Sequence, residues 1–559
     1  MEPVQKQMKT GGWLYRQLRR RIPALAFLAG ANILGAYLGV IFAAAMQQVI
    51  DSAVSGSVDG LVRSCSVLMG IILIRVLCNS SALHLEERLM ADLDRDMKQN
   101  LIRRILAGDY SEIARFHSGD LVNRLNGDIR NVYSGVLTIV SSATSLLSSL
   151  IGAIYVLLGM APGFTVAIVC ISAAISLLTL LIQQKMKLLH KKASEATGKV
   201  SGFLQESIEN LLVVQALDVA PEIQKRSDRL LEERWQIQRK RKNITMTMGI
   251  GSSILSYVGG LVTLVWCSVK LLNGEISFGQ LTAMTALVSQ LQAPMLMLPT
   301  MIPKFISVIA AAERLMEIDG IPMQEQVEGS GILYEKITGI TAKDLSFAYD
   351  RDPVIQEANF TIPTGGLTVI VGASGIGKST LLKLMLGIYK PTDGELVLDT
   401  EDGEISLVRN NRSLFSYAPQ GNLLLSGTLR ENLLLTRPDA TETEIETALY
   451  ASAMDEYVRS LPQGLDTPLG ENGAGLSEGQ AQRLSLARAV LSGAPILLLD
   501  EVTSALDAQT EKTVLERMTA LPGKTCIAVT HRSAALELAD WKLTVSGKGM
   551  VLSPGSHSK

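Results

Sequence analysis

The chain has 559 residues, of which 47% are hydrophobic and 19% charged, and its formal net charge at pH 7 is −2. A chain of that length exceeds what one hydrophobic core supports, so two or more domains are expected. The near-neutral charge excludes a nucleic-acid binder held by bulk positive charge. The five cysteines are scattered, with no Cys-x-x-Cys pair or Cys/His cluster, so neither a disulfide framework nor a cysteine-based metal site is expected.

Residues 1 to about 320 hold six apolar stretches, and each can supply the roughly 20 residues that cross a bilayer core of about 30 Å. The basic segment "RQLRRR" precedes the first stretch without an Ala-x-Ala-like cleavage site, which indicates a cytoplasmic flank and not a signal peptide. So short a flank leaves no room for a peptidase domain before the first span. The stretches are approximately 22–50, 61–83, 133–159, 163–183, 246–272 and 278–310.

Lysine and arginine are unevenly distributed among the connections. The short connections 51–60 and 160–163 contain none, whereas the long connections 84–130 and 184–243 contain many. The positive-inside rule places the long connections in the cytoplasm, and six spans then leave both termini there. The basic residues could instead form a solvated surface or nucleic-acid arms, but their regular alternation with the spans favours a multi-pass protein of the cell membrane.

The second and third helices are expected to extend beyond the bilayer, because no proline occurs between Pro23 and Pro162. About 25 extra residues at 1.5 Å each would reach nearly 40 Å into the cytoplasm. Between these helices, "GDYSEIARFHSGDLVNRLNGDI" contains turn residues and predicts a short break. A similar break is expected near 207–218, in the second long connection.

From about residue 340 the pattern changes to short β-rich runs separated by helical stretches, among them "TAKDLSFAYD", "LTVIVG", "GELVLD" and "ILLLDE". Continuous apolar runs such as "LTVIV" are typical of strands buried on both faces of a parallel α/β sheet. The sequence therefore predicts a mainly α membrane domain of six transmembrane helices at 1–320, a linker at 321–339 and an α/β domain at 340–559.

The stretch "GASGIGKS" lies between the strand "LTVIV" and the apolar helix "TLLKLML", the context that a phosphate-binding P-loop requires. Its glycines let backbone N–H groups wrap phosphate oxygens, and the following helix N-terminus adds a positive dipole. Lys378 is predicted to reach the β- and γ-phosphates of a nucleotide, and Ser379 to ligate Mg²⁺. The residues assigned to this P-loop nucleotide site are Gly372, Ser374, Gly375, Gly377, Lys378 and Ser379.

An acidic pair, Asp500 and Glu501, ends the run "ILLLDE". Asp500 is predicted to hold the Mg²⁺ shell, and Glu501 to polarise the attacking water as general base. Without the P-loop upstream, such a pair would be an ordinary loop start. His531 follows the run "TCIAV" and Thr530. A lone histidine is usually structural, but this strand-end position predicts a contact with the γ-phosphate.

A second glycine-rich helix start lies in "LGENGAGLSEGQAQRLSLARAVL". Ser477 and Gln480 have the spacing of a capping box, so an ordinary helix N-cap is the simplest interpretation. A capped helix start is also an anion site. A separate nucleotide site would need its own lysine and Mg²⁺ ligands, and the sequence offers none nearby. We therefore expect this helix to close over a nucleotide held by another copy of the protein.

The order of Tyr349, "GASGIGKST", Gln420, "LSEGQ", "ILLLDE", "SALD" and His531 resembles the ATP-binding domain of ABC transporters. The six-span half is similar to the exporter-type membrane domain that is fused to it. This resemblance covers nearly the whole chain. Tyr349 and Gln420 are uninformative by themselves, since either type is common at a strand end; only the resemblance gives them roles.

The resemblance implies that two ATP-binding domains meet head to tail, with each ATP between one P-loop and the partner's signature motif. Tyr349 would stack on adenine, Thr380 would join Lys378 and Ser379 at the phosphates and Mg²⁺, and Gln420 would sense the γ-phosphate and Mg²⁺. Ser477 and Gly479 would act on the partner's ATP, and Asp507 would couple the two sites.

The segments "YSEIARFH" and 210–217 resemble the coupling segments that dock on the ATP-binding domains. One departure is Glu478, where the family usually has glycine; at a first helical turn it is favourable if it faces solvent.

These features predict an ATP-driven half-transporter that acts as a dimer and exports its substrate. A homodimer is favoured over a heterodimer, because this chain shows no degraded ATP site. A non-transporting ATPase is disfavoured by the six spans, and a gated channel or regulator by Glu501 and His531. An importer built on the exporter fold, for instance for metal chelates, stays open.

The last span is rich in methionine, including Met295 and Met297, with small polar residues and prolines interleaved. Methionine offers an adaptable apolar surface to varied ligands, although these side chains could equally face lipid or neighbouring helices. Ionisable residues in the spans are few, among them Arg75, Lys270 and Lys304, and a strongly charged substrate would need several partners. The sequence therefore predicts an amphipathic or apolar cargo, such as a drug-like compound, a lipid or a small modified peptide.

Overall fold

The computed structural model divides into two compact units, residues 1–106 with 116–321, and residues 107–115 with 322–559. The backbone is described for residues 2–323, 334–349, 352–407, 409–421, 424–470, 473–547 and 549–556. Within the helices, side chains are described outside 2–9, 175–176, 178–188, 190–191, 248, 252, 293–300 and 409–411. Most of the predicted linker, including 324–333, therefore lies outside the described residues.

The first unit is helical. Its described helices are α1 (Glu2–Leu18), α2 (Ile22–Val54), α3 (Val58–Ala107), α5 (Ser118–Asn123), α6 (Ile129–Met160), α7 (Pro162–Glu209), α8 (Leu211–Ala216), α9 (Ala220–Leu272) and α10 (Phe278–Asp319). Each of the six predicted spans falls on one of the long helices. Within the described residues, four helical stretches have the length and hydropathy to cross a membrane: Thr10–Val54, Val58–Ala107, Ser118–Met160 and Ala220–Leu272.

The long helices pack through small residues and a few polar contacts. Gly135 of α6 leaves no room for a side chain against Val308 of α10. Between α5 and α6, Arg124–Asp128 forms one π-helical turn, and the buried Asp128 accepts two hydrogen bonds from the Arg314 guanidinium of α10, at 2.5 and 2.7 Å. Charged groups therefore fix α10 to the start of α6 at this turn, and farther along the same pair of helices Lys304 donates to Thr138 at 3.0 Å.

The second unit contains two larger sheets among the described residues. Its strands are β1 (Ile337–Tyr349), β2 (Asp352–Pro363), β3 (Gly366–Val371), β4 (Asp393–Thr400), β5 (Gly403–Ser406), β6 (Phe415–Ala418), β7 (Gly427–Thr428), β8 (Pro468–Leu469), β9 (Ile496–Asp500), β10 (Thr525–Val529), β11 (Trp541–Ser546) and β12 (Gly549–Pro554). One sheet has the order β12-β11-β3-β10-β9-β6, and its members β11, β3, β10, β9 and β6 are parallel. Strands β3, β9 and β10 are the continuous apolar runs, so the predicted parallel α/β sheet is confirmed.

The other sheet, β2-β1-β4-β5, is antiparallel and was not anticipated from the sequence. Its inner face packs with one side of the parallel sheet in a single apolar cluster that includes Leu345, Phe360, Leu381 and Leu498. Helices complete this unit: α4 (Tyr110–Ile113), α11 (Lys378–Met385), α12 (Leu429–Leu434), α13 (Glu442–Ala451), α14 (Asp455–Ser460), α15 (Glu478–Leu491), α16 (Ala508–Thr519) and α17 (Ser533–Leu538). The parallel sheet is thereby covered on both faces.

Candidate nucleotide-binding site

The predicted P-loop joins β3 to α11. Gly375 and Gly377 have φ values of +77° and +106°, which favour glycine, and Gly377 immediately precedes the helix. A methyl group on Gly372 would lie 2.5 Å from the Val545 carbonyl oxygen, so only glycine fits there. Lys378 is 5% exposed, and its Nζ donates to the Gly372 and Ala373 carbonyl oxygens, each at 2.9 Å. The loop thus has the tight backbone of a phosphate cradle, with its lysine held inside the curve.

The strand order brings the other predicted residues to the same edge. Strands β3, β10, β9 and β6 are parallel neighbours, so their carboxyl ends lie side by side. The P-loop follows β3, His531 follows β10, Asp500 and Glu501 stand at the end of β9, and Gln420 follows β6. Ligands bind at this edge of open α/β sheets.

Asp500 is the buried acidic centre of this edge, with 2% of its surface exposed. Its Oδ1 accepts from the Ser379 hydroxyl at 2.8 Å, and its Oδ2 accepts from the Tyr417 hydroxyl at 2.9 Å. Burial, and then the neighbouring Asp500 carboxylate, raise the pKa of Tyr417 above its usual value. Tyr417 was not predicted; its position on the strand that leads to Gln420 was the available signal. The converging oxygens of Ser379 and Asp500 are the hard ligands that Mg²⁺ prefers, so this pair fits the ion.

Glu501 lies in a strained backbone conformation, with φ of +51°. Its N–H donates to the Val529 carbonyl at 3.0 Å, and its carboxylate accepts from Gln420 Nε2 at 2.6 Å. Non-glycine residues in the left-handed region cluster at functional sites. His531, two residues beyond β10, is exposed. The structure therefore joins the predicted general base to the predicted sensor glutamine directly.

Tyr349 ends β1 and is 38% exposed. Its hydroxyl lies 3.2 Å from the Thr380 hydroxyl in the first turn of α11. Its ring packs edge to face on Phe347 and on Tyr389, with centroids 4.9 and 5.3 Å away. A partly exposed aromatic ring beside a phosphate cradle can stack on a nucleotide base.

The predicted signature helix is α15, capped by Ser477. Both bonds of the capping box are present: the Ser477 N–H donates to Gln480 Oε1 at 2.8 Å, and the Gln480 N–H donates to Ser477 Oγ at 3.3 Å. Glu478 is exposed in the first turn. A methyl group on Gly479 would lie 3.1 Å from the Ala505 carbonyl oxygen, so this glycine permits close approach of the "SALD" loop.

Two residues that the sequence did not single out hold that loop. Gln482 donates to Ser504 Oγ and accepts from the Ala505 N–H, both at 3.0 Å. Arg532, next to His531, donates to the carbonyl oxygens of Ser504 and Leu506. Neither contact was predictable from the sequence, since both residue types are common on helix and loop surfaces.

The "SALD" loop leads into α16 through Asp507. Its carboxylate accepts from the Thr510 N–H at 2.9 Å and caps the helix. Hydrogen bonds from the side chain and backbone of Thr510 lower the pKa of Asp507 below its usual range. The "SALD" loop thus ends on an ionised helix cap. The predicted signature helix α15 contacts the loop on one side, and Arg532 contacts it on the other.

Residues 25–295 match the family model of the ABC transporter transmembrane region, and residues 355–504 match that of the ABC transporter. The chain belongs to the ABC transporter family. This ABC transporter is 27% identical to the uncharacterised ABC transporter ATP-binding protein YfiC of Bacillus subtilis (strain 168), over 98% of this chain and 91% of that protein. It is 30% identical to the leukotoxin translocation ATP-binding protein LktB of Mannheimia glucosida, over 83% of this chain and 66% of that protein.

A solved structure of a bacterial Atm1-family ABC exporter with ATP bound aligns with 97% of this chain and 96% of its own, at a TM-score of 0.81 and 22% identity. That identity shows a shared fold alone. With both family models matched in one polypeptide, this ABC transporter is a half-transporter with an exporter-type fold: a membrane protein that binds ATP and couples its hydrolysis to transport.

Proposed function

We propose that the protein is a homodimeric exporter of the cell membrane that moves an amphipathic or apolar small molecule, lipid or peptide out of the cytoplasm. The supporting observation is the complete residue set at the carboxyl edge of β3, β10, β9 and β6, because a degenerate half would have lost part of it. The proposed domains are a membrane domain at 1–320, a linker at 321–339 and an ATP-binding domain at 340–559, with both termini cytoplasmic.

In the proposed ATP site, Tyr349 stacks on adenine and the P-loop residues Gly372, Ser374, Gly375, Gly377, Lys378, Ser379 and Thr380 bind the phosphates. Ser379, Gln420 and Asp500 would hold Mg²⁺, which would neutralise charge on the phosphate oxygens when bound. Glu501 accepts the proton of the attacking water, with its carboxylate oriented by the 2.6 Å bond from Gln420. His531 donates to the γ-phosphate.

Ser477, Gly479 and Asp507 are proposed to serve the ATP of the partner subunit. The support is local: α15 begins at a capped and exposed end, and a helix N-terminus favours anions. Gln482 and Arg532 hold the loop that carries Asp507 in register with both α15 and His531. Hydrogen bonds to this one loop thereby transmit a structural change from one composite site to the other.

Mixed dimers test the shared site. Subunits carrying Lys378→Ala are combined with subunits carrying Ser477→Ala, so that in the mixed dimer one composite site has both defects and the other has neither. ATP-dependent closure should then survive in the mixture and be lost in each pure mutant. Identical loss in all three samples would contradict sharing between subunits.

Purified alone, the chain should hydrolyse ATP. A protein that is inert until a second polypeptide is added would contradict the homodimer.

The outward direction is supported by the relatives named as translocation proteins and by the exporter fold. Transport into inside-out vesicles measures the direction: labelled cargo should accumulate inside with ATP, and release from preloaded vesicles would identify an importer.

For the cargo, the proposed contacts Met295 and Met297 have side chains outside the described residues. Amphipathic compounds should stimulate the ATPase in proteoliposomes, and Met295→Asp or Met297→Asp should blunt that response. Stimulation only by highly charged solutes would contradict the proposed substrate class.

A further inference from the structure

Four aromatic rings form a continuous cluster in the second unit: Tyr110, Phe347, Tyr349 and Tyr389. Tyr389 is its centre, with ring centroids 5.8 Å from Tyr110, 5.3 Å from Phe347 and 5.3 Å from Tyr349. The contacts to Tyr110 and Tyr349 are edge to face, the arrangement in which aromatic pairs attract. Three of these rings lie in the ATP-binding sequence, whereas Tyr110 comes from a segment more than two hundred residues upstream.

The backbone around Tyr110 is fixed. The Asp109 N–H donates to the Pro322 carbonyl at 3.2 Å, and Gly108 pairs with Met323 as an isolated β-bridge. The Asp109 carboxylate accepts from the Ser111 N–H at 2.9 Å and caps the short helix α4. Tyr110 is therefore presented to Tyr389 by an anchored turn, although its own side chain is 48% exposed.

Tyr389 is half-buried against the apolar cluster beneath the antiparallel sheet. Burial, and then the neighbouring Tyr349 and Tyr110, raise the pKa of its hydroxyl. Its hydroxyl therefore stays protonated, and its ring contacts those of Tyr110, Phe347 and Tyr349. Tyr349 has one further tie, its hydroxyl contact to Thr380 of the P-loop. A ring that is 38% exposed keeps its orientation only through such neighbours.

We propose that Tyr389 and Tyr110 are positioning residues for Tyr349, so that binding of the adenine ring depends on how residues 107–115 are docked. This inference rests on the proposed role of Tyr349 as the adenine platform. Apart from the hydroxyl contact between Tyr349 and Thr380, the phosphate cradle does not involve the cluster, because the P-loop backbone and Lys378 form their own contacts. Separate parts of the site therefore bind the base and the phosphates. Only binding of the base depends on the segment that carries Tyr110.

The test uses the full chain in proteoliposomes and two probes, ATP and inorganic tripolyphosphate, each with Mg²⁺. Tyr110→Ala should weaken ATP binding by about two- to tenfold, the range expected for one aromatic pair. The inhibition constant of tripolyphosphate should stay unchanged, and so should turnover at saturating ATP. Tyr110→Phe and Tyr389→Phe keep the rings and should bind ATP as the wild type does. Tyr450→Ala is the matched control, since it removes a 54% exposed tyrosine from α13 of the same unit.

Unchanged ATP affinity in Tyr110→Ala would overturn the inference, as would equal weakening of ATP and tripolyphosphate, which indicates a general distortion of the site. Failure of Tyr110→Phe to restore affinity would overturn the role of the ring. A wild type that binds tripolyphosphate as tightly as ATP would refute the adenine platform itself. A wild type that binds ATP but exports nothing would refute the proposed export and leave this comparison intact.

Discussion

Replacing Glu501 by glutamine tests the proposed chemistry with little change in shape. The glutamine amide oxygen can still accept from Gln420 Nε2, so the 2.6 Å contact becomes a neutral hydrogen bond in place of a charge-assisted one. That exchange costs on the order of 1 kcal/mol of stability. Loss of the general base should raise the barrier to hydrolysis by about 3 to 5 kcal/mol, a fall in turnover of about 10² to 10⁴-fold.

Phosphate release from proteoliposomes measures turnover, and equilibrium binding measures ATP affinity. Glu501→Gln should bind ATP within about threefold of the wild type and accumulate as a closed, ATP-bound dimer. Glu456→Gln, which removes an exposed carboxylate from α14, is the matched control and should leave both values unchanged. Turnover above about a tenth of the wild-type rate in Glu501→Gln would refute the assignment of the base.

Glu501→Gly separates strain from chemistry. Glycine accepts the φ of +51° without the cost of about 1 kcal/mol that a side chain brings there. The protein should therefore unfold no more easily than the wild type, yet it should be as inactive as Glu501→Gln. An active Glu501→Gly protein would mean that the backbone at this position, and not the carboxylate, is what hydrolysis requires.

Three further predictions concern the same unit. Gly372→Ala should weaken ATP binding about tenfold or more, because its methyl group would lie 2.5 Å from the Val545 carbonyl oxygen; unchanged affinity in the binding assay would show that the loop adapts. Glu511→Ala should lower the free energy of unfolding by about 1 to 3 kcal/mol in chemical denaturation, because the buried Thr503 hydroxyl loses its acceptor and Arg532 its partner; an unchanged free energy would contradict this. Burial raises the pKa of Cys526 to about 12, so its thiol stays protonated below that pH and should resist iodoacetamide in the native protein, which peptide mass mapping checks; rapid native alkylation would exclude such burial.

Local patterns in the sequence are sufficient for the elements that depend on local physics. The apolar stretches predict the long helices, because about 20 apolar residues without charge have few other stable surroundings. The P-loop was predictable because its glycines, lysine and serine lie in one contiguous stretch, residues 372–379. The positions of Asp500 and His531 were predictable as strand ends, since continuous apolar runs mark buried parallel strands.

The neighbours of those residues were decided by tertiary structure. The sequence order of the strands is β3, β6, β9, β10, but the spatial order is β3-β10-β9-β6. That order places Tyr417 on Asp500 and Gln420 on Glu501, contacts that no spacing in the chain predicts.

The long-range contacts to the "SALD" loop and to Tyr389 have the same origin. Arg532 and Tyr110 are ordinary surface types in the sequence, and they acquire partners only when separate segments pack together. The sequence by itself predicted the two kinds of domain, the spans and the candidate residues of the nucleotide site, because each of these patterns lies within a few helical turns or one strand. Only the packed sheet decided which side chains orient them, because side-chain contacts between distant segments depend on strand order and layer packing, which local periodicity does not encode.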